Sequence, residues 1–430
     1  MQLAIISWIR SQYKLVLLFL SFLVILFGVI RLVTKPIEFT SGQTITWWHI
    51  IENVQSGKGY KYCENRYVPN CILTNQETAI REPFPIYFYA SIGRLTGNSV
   101  VALQLTQVSI VLLVLFGIYL LGYEIGGLFV GLLGAWLWTF YLPALRLESY
   151  ITGDLPESLF VIFGLLKFVH VVKHNKLIDW LQFGVLFALA ALSRTAALSL
   201  LFGLGIGYII FLFKTNQSSR LLSIDLIQKI SISVFAFALL MSPWVVRNYI
   251  AFGEPVFSTT LVGYNLYRHN AIIAKDVPPH YVDSEEAYRI IFELVMRRDE
   301  LLTPINEAQV NRIFQEEAFK IIREHPLKYV KLVVYRFSHL WLNISVKELL
   351  LMDYVYMVQN IFLLIAFILG LRKNNWVVRI IGCSTIFYLF LYLLVDAQLR
   401  YIIPVMPGMI MIGSVGLLSI LPAKIQQEFI

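Results

Sequence analysis

"LVLLFLSFLVILFGVI" (Leu15 to Ile30) is the stretch on which the fold turns. It carries no charge and is long enough for the apolar core of a signal peptide or for a membrane helix. No small-residue cleavage pattern follows it, and many further apolar runs come after, so it reads as a retained first transmembrane helix. Composition agrees. The 430 residues are 58% hydrophobic and 14% charged, where soluble domains carry about 25% charged residues.

Working outward, apolar runs of span length recur at 15–33, 99–121, 124–142, 156–172, 179–193, 196–213, 227–245, 350–371, 377–395 and 402–421. The expectation is an all-α polytopic membrane protein with about ten transmembrane helices. Lys and Arg set the orientation. Arg10 and Lys14, Lys173 and Lys176, Lys214, Arg220 and Lys229, and Arg372, Lys373 and Arg379 all fall on one side if the N-terminus is cytoplasmic. The net charge of +8 is therefore mostly topology. No soluble basic face is present, which argues against a nucleic-acid partner and leaves the bilayer as the surrounding medium.

That topology divides the single 1–430 unit into a first extracytoplasmic loop at 35–98 with interfacial helices, a large one at 246–348, and C-terminal spans over 349–430. From Arg247 to Glu348 the large loop holds 13 basic and 13 acidic residues, so it is neutral and polar. Its patterns are helical, as in "NEAQVNRIFQEEAFKIIREHP" with a stop at His325-Pro326. "LKYVKLVVYRFSHLWL" (Leu327 to Leu342) would bury Lys328, Lys331, Arg336 and His339 if it spanned, so an interfacial helix is expected. Cys63 and Cys71 share the first loop, where an oxidising compartment would let them bridge.

Charged and amide residues cluster where the spans meet these loops. In "RLESYITGDLPESLF" (Arg146 to Phe160), Asp154 and Glu157 suit a helix start with Pro156 in its first turn. A carboxylate leading an apolar helix is costly unless it faces a wet cavity, which makes both candidates for function. "ETAIREPFPIYFYASIGRLTGNS" (Glu77 to Ser99) places Arg81 and Glu82 before two prolines that fix an extended approach to a helix. In "SPWVVRNYIAFGEPVFSTTLVGYNLYRHN" (Ser242 to Asn270), Trp244 and Arg247 fit an interfacial anchor. The cluster of Arg247, Asn248, Asn265 and loop glycines also suits a phosphate-bearing lipid head. "DAQLRYIIPVMPG" puts Asp396 and Arg400 at the outer rim, and Arg194 reads as a cap of an outer turn or a phosphate partner. The seven histidines are scattered without metal-binding spacing. No P-loop is present, which argues against ATP-driven transport. No run of intramembrane Asp, Glu or Lys suggests an ion-coupled carrier.

Taken in order, "WWHIIENVQSGKGY", "TAIREPFPIYFYASIGRLTG", "DLPESLF", "ALAALSRTAAL", "PWVVRNYIAFGEPV" with "GYNLYRHN", "EHPLKYV" and "LRYIIPVMPG" resemble the glycosyltransferase-C superfamily. The resemblance is to the bacterial polytopic enzymes related to protein O-mannosyltransferases and the lipid A aminoarabinose transferase. It implies a hexosyl- or pentosyl-transferase of the inner membrane. Such an enzyme moves a sugar from a polyprenyl-phosphate-linked donor to a glycan, lipid or protein acceptor outside the cytoplasm. An inverting transfer needs a carboxylate to take the acceptor's proton and cations to hold the departing phosphate. Glu38, Glu82 and Glu157 are the candidate bases. Gln43, Trp47, Tyr60, Arg81, Asp154, Arg247, Asn248, Asn265 and Arg400 are the candidate substrate-binding residues. Some superfamily members use a divalent metal ion and others do not; the sequence names no ligand set and no other cofactor.

One departure stands out. Superfamily enzymes carry an Asp early in the first outer loop, then an aromatic, then a glycine pair. Counting back from Gly57, Gly59 and Tyr60, the aromatic falls on Trp47 and the acid's place on Gln43. An amide cannot act as a base near neutral pH. The alternative is therefore a non-catalytic relative that binds or translocates polyprenyl-linked sugars.

Overall fold

The structure is a computed structural model, described over residues 2–40, 44–65, 67–69, 71–73, 76–275, 277–342 and 350–422. Among these residues it is built from helices, and the only β-pairing is an isolated bridge between Lys61 and Glu77. The helices are α1 (Gln2–Thr34), α2 (Thr44–Gln55), α3 (Pro83–Thr96), α4 (Val100–Gly126), α5 (Leu128–Thr139), α6 (Leu142–Arg146), α7 (Asp154–His174), α8 (Leu177–Ser193) and α9 (Ala197–Lys214). They continue as α10 (Ile224–Phe252), α11 (Leu261–Asn270), α12 (Ser284–Val295), α13 (Glu307–Glu324), α14 (Pro326–Leu342), α15 (Leu351–Leu371), α16 (Trp376–Val395) and α17 (Met406–Leu418).

Seven of the ten expected segments are helices long and apolar enough to cross a membrane: Arg10–Thr34 in α1, and α4, α7, α9, α10, α15 and α16. The 124–142 segment is instead a pair of helices, Leu128–Thr139 and Leu142–Ser149, bent by 47°, which makes eight if the pair is one span. The remaining two, α8 and α17, have 17 and 13 residues. At 1.5 Å per residue α8 reaches roughly 26 Å and α17 roughly 20 Å. Topology speaks for α8. The segments before α4 and after α10 pack on one another, since Thr78 bonds Glu307 and Val68 and Cys71 join the core of α11–α13. An even number of crossings must separate them. The sequence α4, α5–α6, α7, α9 and α10 is odd, and α8 completes it.

The spans expose apolar faces where lipid would lie, such as Leu18, Phe19 and Phe22 on α1 and Val234, Phe235 and Leu239 on α10. Inside the bundle, small residues bring backbones together. A Cβ on Gly416 of α17 would sit 2.5 Å from Gly370 N of α15, so only glycine fits there. At the loop end, α2, α3 and parts of α8 and α10 share one core with Trp47, Trp48, Tyr60 and Trp244, and α11–α14 build another. Cys63 and Cys71 form a disulfide with a Cα–Cα distance of 5.5 Å.

Helix α14 corrects one expectation. It presents Leu327, Val330, Val334 and Phe337 outward, as an interfacial helix would, but Arg336 and His339 are buried. Arg336 Nη1 donates to Leu393 O and Leu394 O, both at 3.1 Å, and Nη2 donates to His269 O at 2.7 Å. The charge is held inside the protein by carbonyls at the C-terminal end of α16, where the helix dipole favours a cation.

Candidate active site

Where the loop end meets the spans, a cavity of about 670 Å³ opens. Glu82 enters it from the residue before α3. The Pro83 ring forces that residue into extended backbone, φ −72° and ψ 146°, and takes the first helical position itself. Glu82 is buried, and its Oε1 accepts from Thr195 N–H at 3.1 Å and Thr195 Oγ1 at 3.2 Å. Those bonds fix the carboxylate and leave Oε2 without a protein donor among the described residues.

Arg81 lines the same cavity. Its guanidinium lies over the Trp47 ring at 5.4 Å and the Tyr67 ring at 6.0 Å, contacts that orient a cation without neutralising it. Its Nε has no hydrogen-bond partner among the described residues. Tyr60, buried beneath, donates from its hydroxyl to Arg81 O at 2.9 Å and so holds the backbone of the pair. Asn265 and Arg400 also reach the wall, as does Arg268 of α11. Leu198 and Phe202 of α9 and Phe387 and Leu391 of α16 add apolar side chains of span helices to the lining. The cavity thus combines arginines with apolar span residues.

Other sequence candidates lie behind or away from this wall. Asp154 and Glu157 are fully buried and absent from the lining. Arg194 Nη1 meets Asp154 Oδ1 at 3.0 Å, and its Nε lies 3.7 Å from Glu157 Oε2. Tyr388 Oη donates to Glu157 Oε1 at 3.2 Å. Glu157, expected as a base, and Asp154, expected as a substrate ligand, thus lie behind Arg194, which does line the cavity. Glu38 is exposed near the exit of α1 and is not part of the lining. Arg247 and Asn248 are also off the wall. Arg247 donates to Thr78 O at 2.7 Å and Tyr60 O at 2.8 Å and pairs with Glu77, while Asn248 donates to Val256 O at 2.9 Å. Both pin loop backbone. Gln43 lies outside the described residues.

Asp396 closes the cavity floor. Its Oδ2 accepts from Gln398 Nε2 and Tyr401 Oη, both at 2.9 Å, and its Oδ1 lies 3.2 Å from His269 Nε2. Burial alone would raise its pKa, but His269, Arg268 and Arg336 around it hold it well below the usual carboxylate range. Burial first, then the Arg268 charge, push His269 down to about 4. Asp396 is an organising anion, already occupied by its donors. Among the described residues no group of three or more metal-capable side chains gathers. Sequence reasoning read Arg194 as a turn cap or a phosphate partner and left Arg268, Tyr388 and Tyr392 out of the site. A lone arginine between two apolar runs and two tyrosines one turn apart inside another were the available signals.

Residues 81–246 match the family model of dolichyl-phosphate-mannose-protein mannosyltransferases. That stretch contains Arg81, Glu82 and Arg194. The architecture matches that of the oligosaccharyltransferase AglB of Archaeoglobus fulgidus with a TM-score of 0.54. This is a glycosyltransferase-C fold. The AglB structure, solved with an inhibitory peptide and a dolichol-phosphate, is 13% identical over 96% of this chain and 51% of its own. Its apo form gives a TM-score of 0.53 with the same identity and the same coverage of both chains. The chain thus spans about half the length of these glycosyltransferase-C structures. ArnT from Cupriavidus metallidurans, bound to undecaprenyl phosphate, matches at a TM-score of 0.44 and 9% identity over 94% of this chain and 78% of its own. No curated protein sequence matches the chain.

Proposed function

We propose that the protein is a membrane glycosyltransferase that moves a sugar from a polyprenyl-phosphate-linked donor to an acceptor on the extracytoplasmic face. One observation carries this reading: Arg81 and Glu82, adjacent in sequence, reach one cavity whose lining combines further arginines with apolar side chains of the span helices. The lipid chain lies against Leu198, Phe202, Phe387 and Leu391, and the phosphate sits among Arg81, Arg400 and Arg268. Glu82 Oε2 takes the proton of the acceptor hydroxyl as its oxygen bonds to the anomeric carbon. The bond from that carbon to the phosphate oxygen breaks, and the electron pair leaves with the phosphate onto the arginines.

The test is sugar transfer by purified protein from a panel of polyprenyl-phosphate sugars, with Glu82→Gln, Glu38→Gln and Glu157→Gln compared. Glu82→Gln should lose turnover and keep donor binding, while Glu38→Gln stays active. Gln43, at the place of the superfamily's acid, supports a second reading: a scaffold that binds or translocates such lipids. Donor binding without turnover in the wild type would favour it.

A further inference from the structure

The segment that carries Arg81 and Glu82 is irregular backbone, and no helix supports it from Glu77 to Glu82. Such backbone keeps its place only through bonds to neighbours. Several of those bonds converge on one residue outside the cavity, Glu307 in the first turn of α13. Its carboxylate is buried. Oε2 accepts from Thr78 Oγ1 at 2.7 Å, and Oε1 accepts from Ala79 N–H at 2.6 Å and also from Thr260 Oγ1. Thr260 N–H donates in turn to Ala79 O at 3.0 Å.

One carboxylate thus ties the approach to Arg81 and Glu82 to the start of α11, whose Asn265 and Arg268 also line the cavity. The surroundings of α13 make the tie rigid. Asn306 Nδ2 donates to Phe252 O at 2.9 Å, and Asn311 Oδ1 accepts from Gly263 N–H at 2.7 Å. A Cβ on Gly263 would lie 2.1 Å from Asn311 O, so the backbones of α11 and α13 touch there.

We propose that Glu307 is a positioning residue for the transfer: without touching substrate, it sets where Glu82 and Arg81 stand relative to the α11 wall. The inference rests on the role given above to those two residues. Removing this carboxylate takes two bonds from the segment, at Thr78 and Ala79, and one from Thr260 at the start of α11. A misplacement of about 1 Å costs on the order of 100-fold in rate. Arg400 comes from an element Glu307 does not bond, so part of the phosphate site stays in place while Arg81 and the base shift. A kcat loss of ~10- to 100-fold with a smaller rise in donor KM is the expected split.

The experiment compares Glu307→Ala and Glu307→Gln with wild type by hydrogen exchange and by steady-state kinetics. The expected result has two parts. Amide exchange rises in 76–82 and 258–263 while the spans stay protected, and kcat falls by more than donor KM rises. Glutamine still accepts from Ala79 N–H, so Glu307→Gln should recover part of both. Unchanged exchange in 76–82 overturns the proposal whether or not a donor has been found. So does global loss of protection, which would mark Glu307 as a merely structural residue. The double variant Glu82→Gln with Glu307→Ala separates this from the reading it rests on. If Glu307 acts through Glu82, the double variant is no slower than Glu82→Gln alone. If both losses multiply, Glu307 acts elsewhere and the proposal falls. A fully active Glu82→Gln removes the base assignment instead, and the exchange result then judges Glu307.

Discussion

Replacing Arg194 with methionine keeps an apolar stem of similar length and removes the cation that pairs with buried Asp154 at 3.0 Å and lies 3.7 Å from buried Glu157. Asp154 and Glu157 have no exposure, and the Arg194 side chain is only 15% exposed, so solvent screens the cluster little. Breaking a buried pair by deleting one partner costs about 3–5 kcal/mol, because the remaining charge stays desolvated. With two carboxylates left behind, the upper end of that range is the expectation. Against a total stability of roughly 5–15 kcal/mol, this is a third or more of the margin. Arg194→Lys restores charge but not the fork that spans Asp154 and Glu157, and should fall between. The triple variant Arg194→Met, Asp154→Asn, Glu157→Gln removes the charges together and should recover to within about 1–2 kcal/mol of wild type. Reversible unfolding in mixed detergent micelles measures all of these. An Arg194→Met protein as stable as wild type, or a triple variant no better than the single, would refute the reasoning.

Arg81→Ala should weaken donor binding about tenfold or more, and Arg81→Lys should not restore it, because a lysine lacks the planar group that stacks on Trp47; titration with polyprenyl phosphate checks this. Replacing Cys63 and Cys71 together with serine reopens a loop of eight residues, and loop entropy makes the loss about 2–3 kcal/mol, readable as a lower unfolding midpoint. His269, held at about 4 when folded against about 6.5 unfolded, contributes stability present above that unfolded value. The unfolded chain binds more protons between the two, so stability should fall as pH drops from 6.5 toward 4. Midpoints measured across that window should flatten in His269→Gln.

The apolar runs made the spans legible, because lipid demands length and the absence of charge. The bend between α5 and α6 escaped, since a broken helix and a straight one share the same hydropathy. "REPFP" made Glu82 legible through its prolines. The acids of "GDLPESLF" did signal something charged at depth, but their partner Arg194 stands nearly forty residues on, and only the packing of α7 against α8 brings them together. The bonds of Arg247 were illegible for a similar reason. They go to Thr78 and Tyr60, 169 and 187 residues away. The cavity floor needed α11, α14 and the residues after α16 to meet, and no spacing in the sequence encodes that.

The most direct test of the central claim is turnover by Glu82→Gln. Protein reconstituted with a donor that the wild type consumes should bind it as well as wild type and transfer its sugar ~10²- to 10⁴-fold more slowly, the contribution of a general base. Transfer at the wild-type rate would contradict the claim.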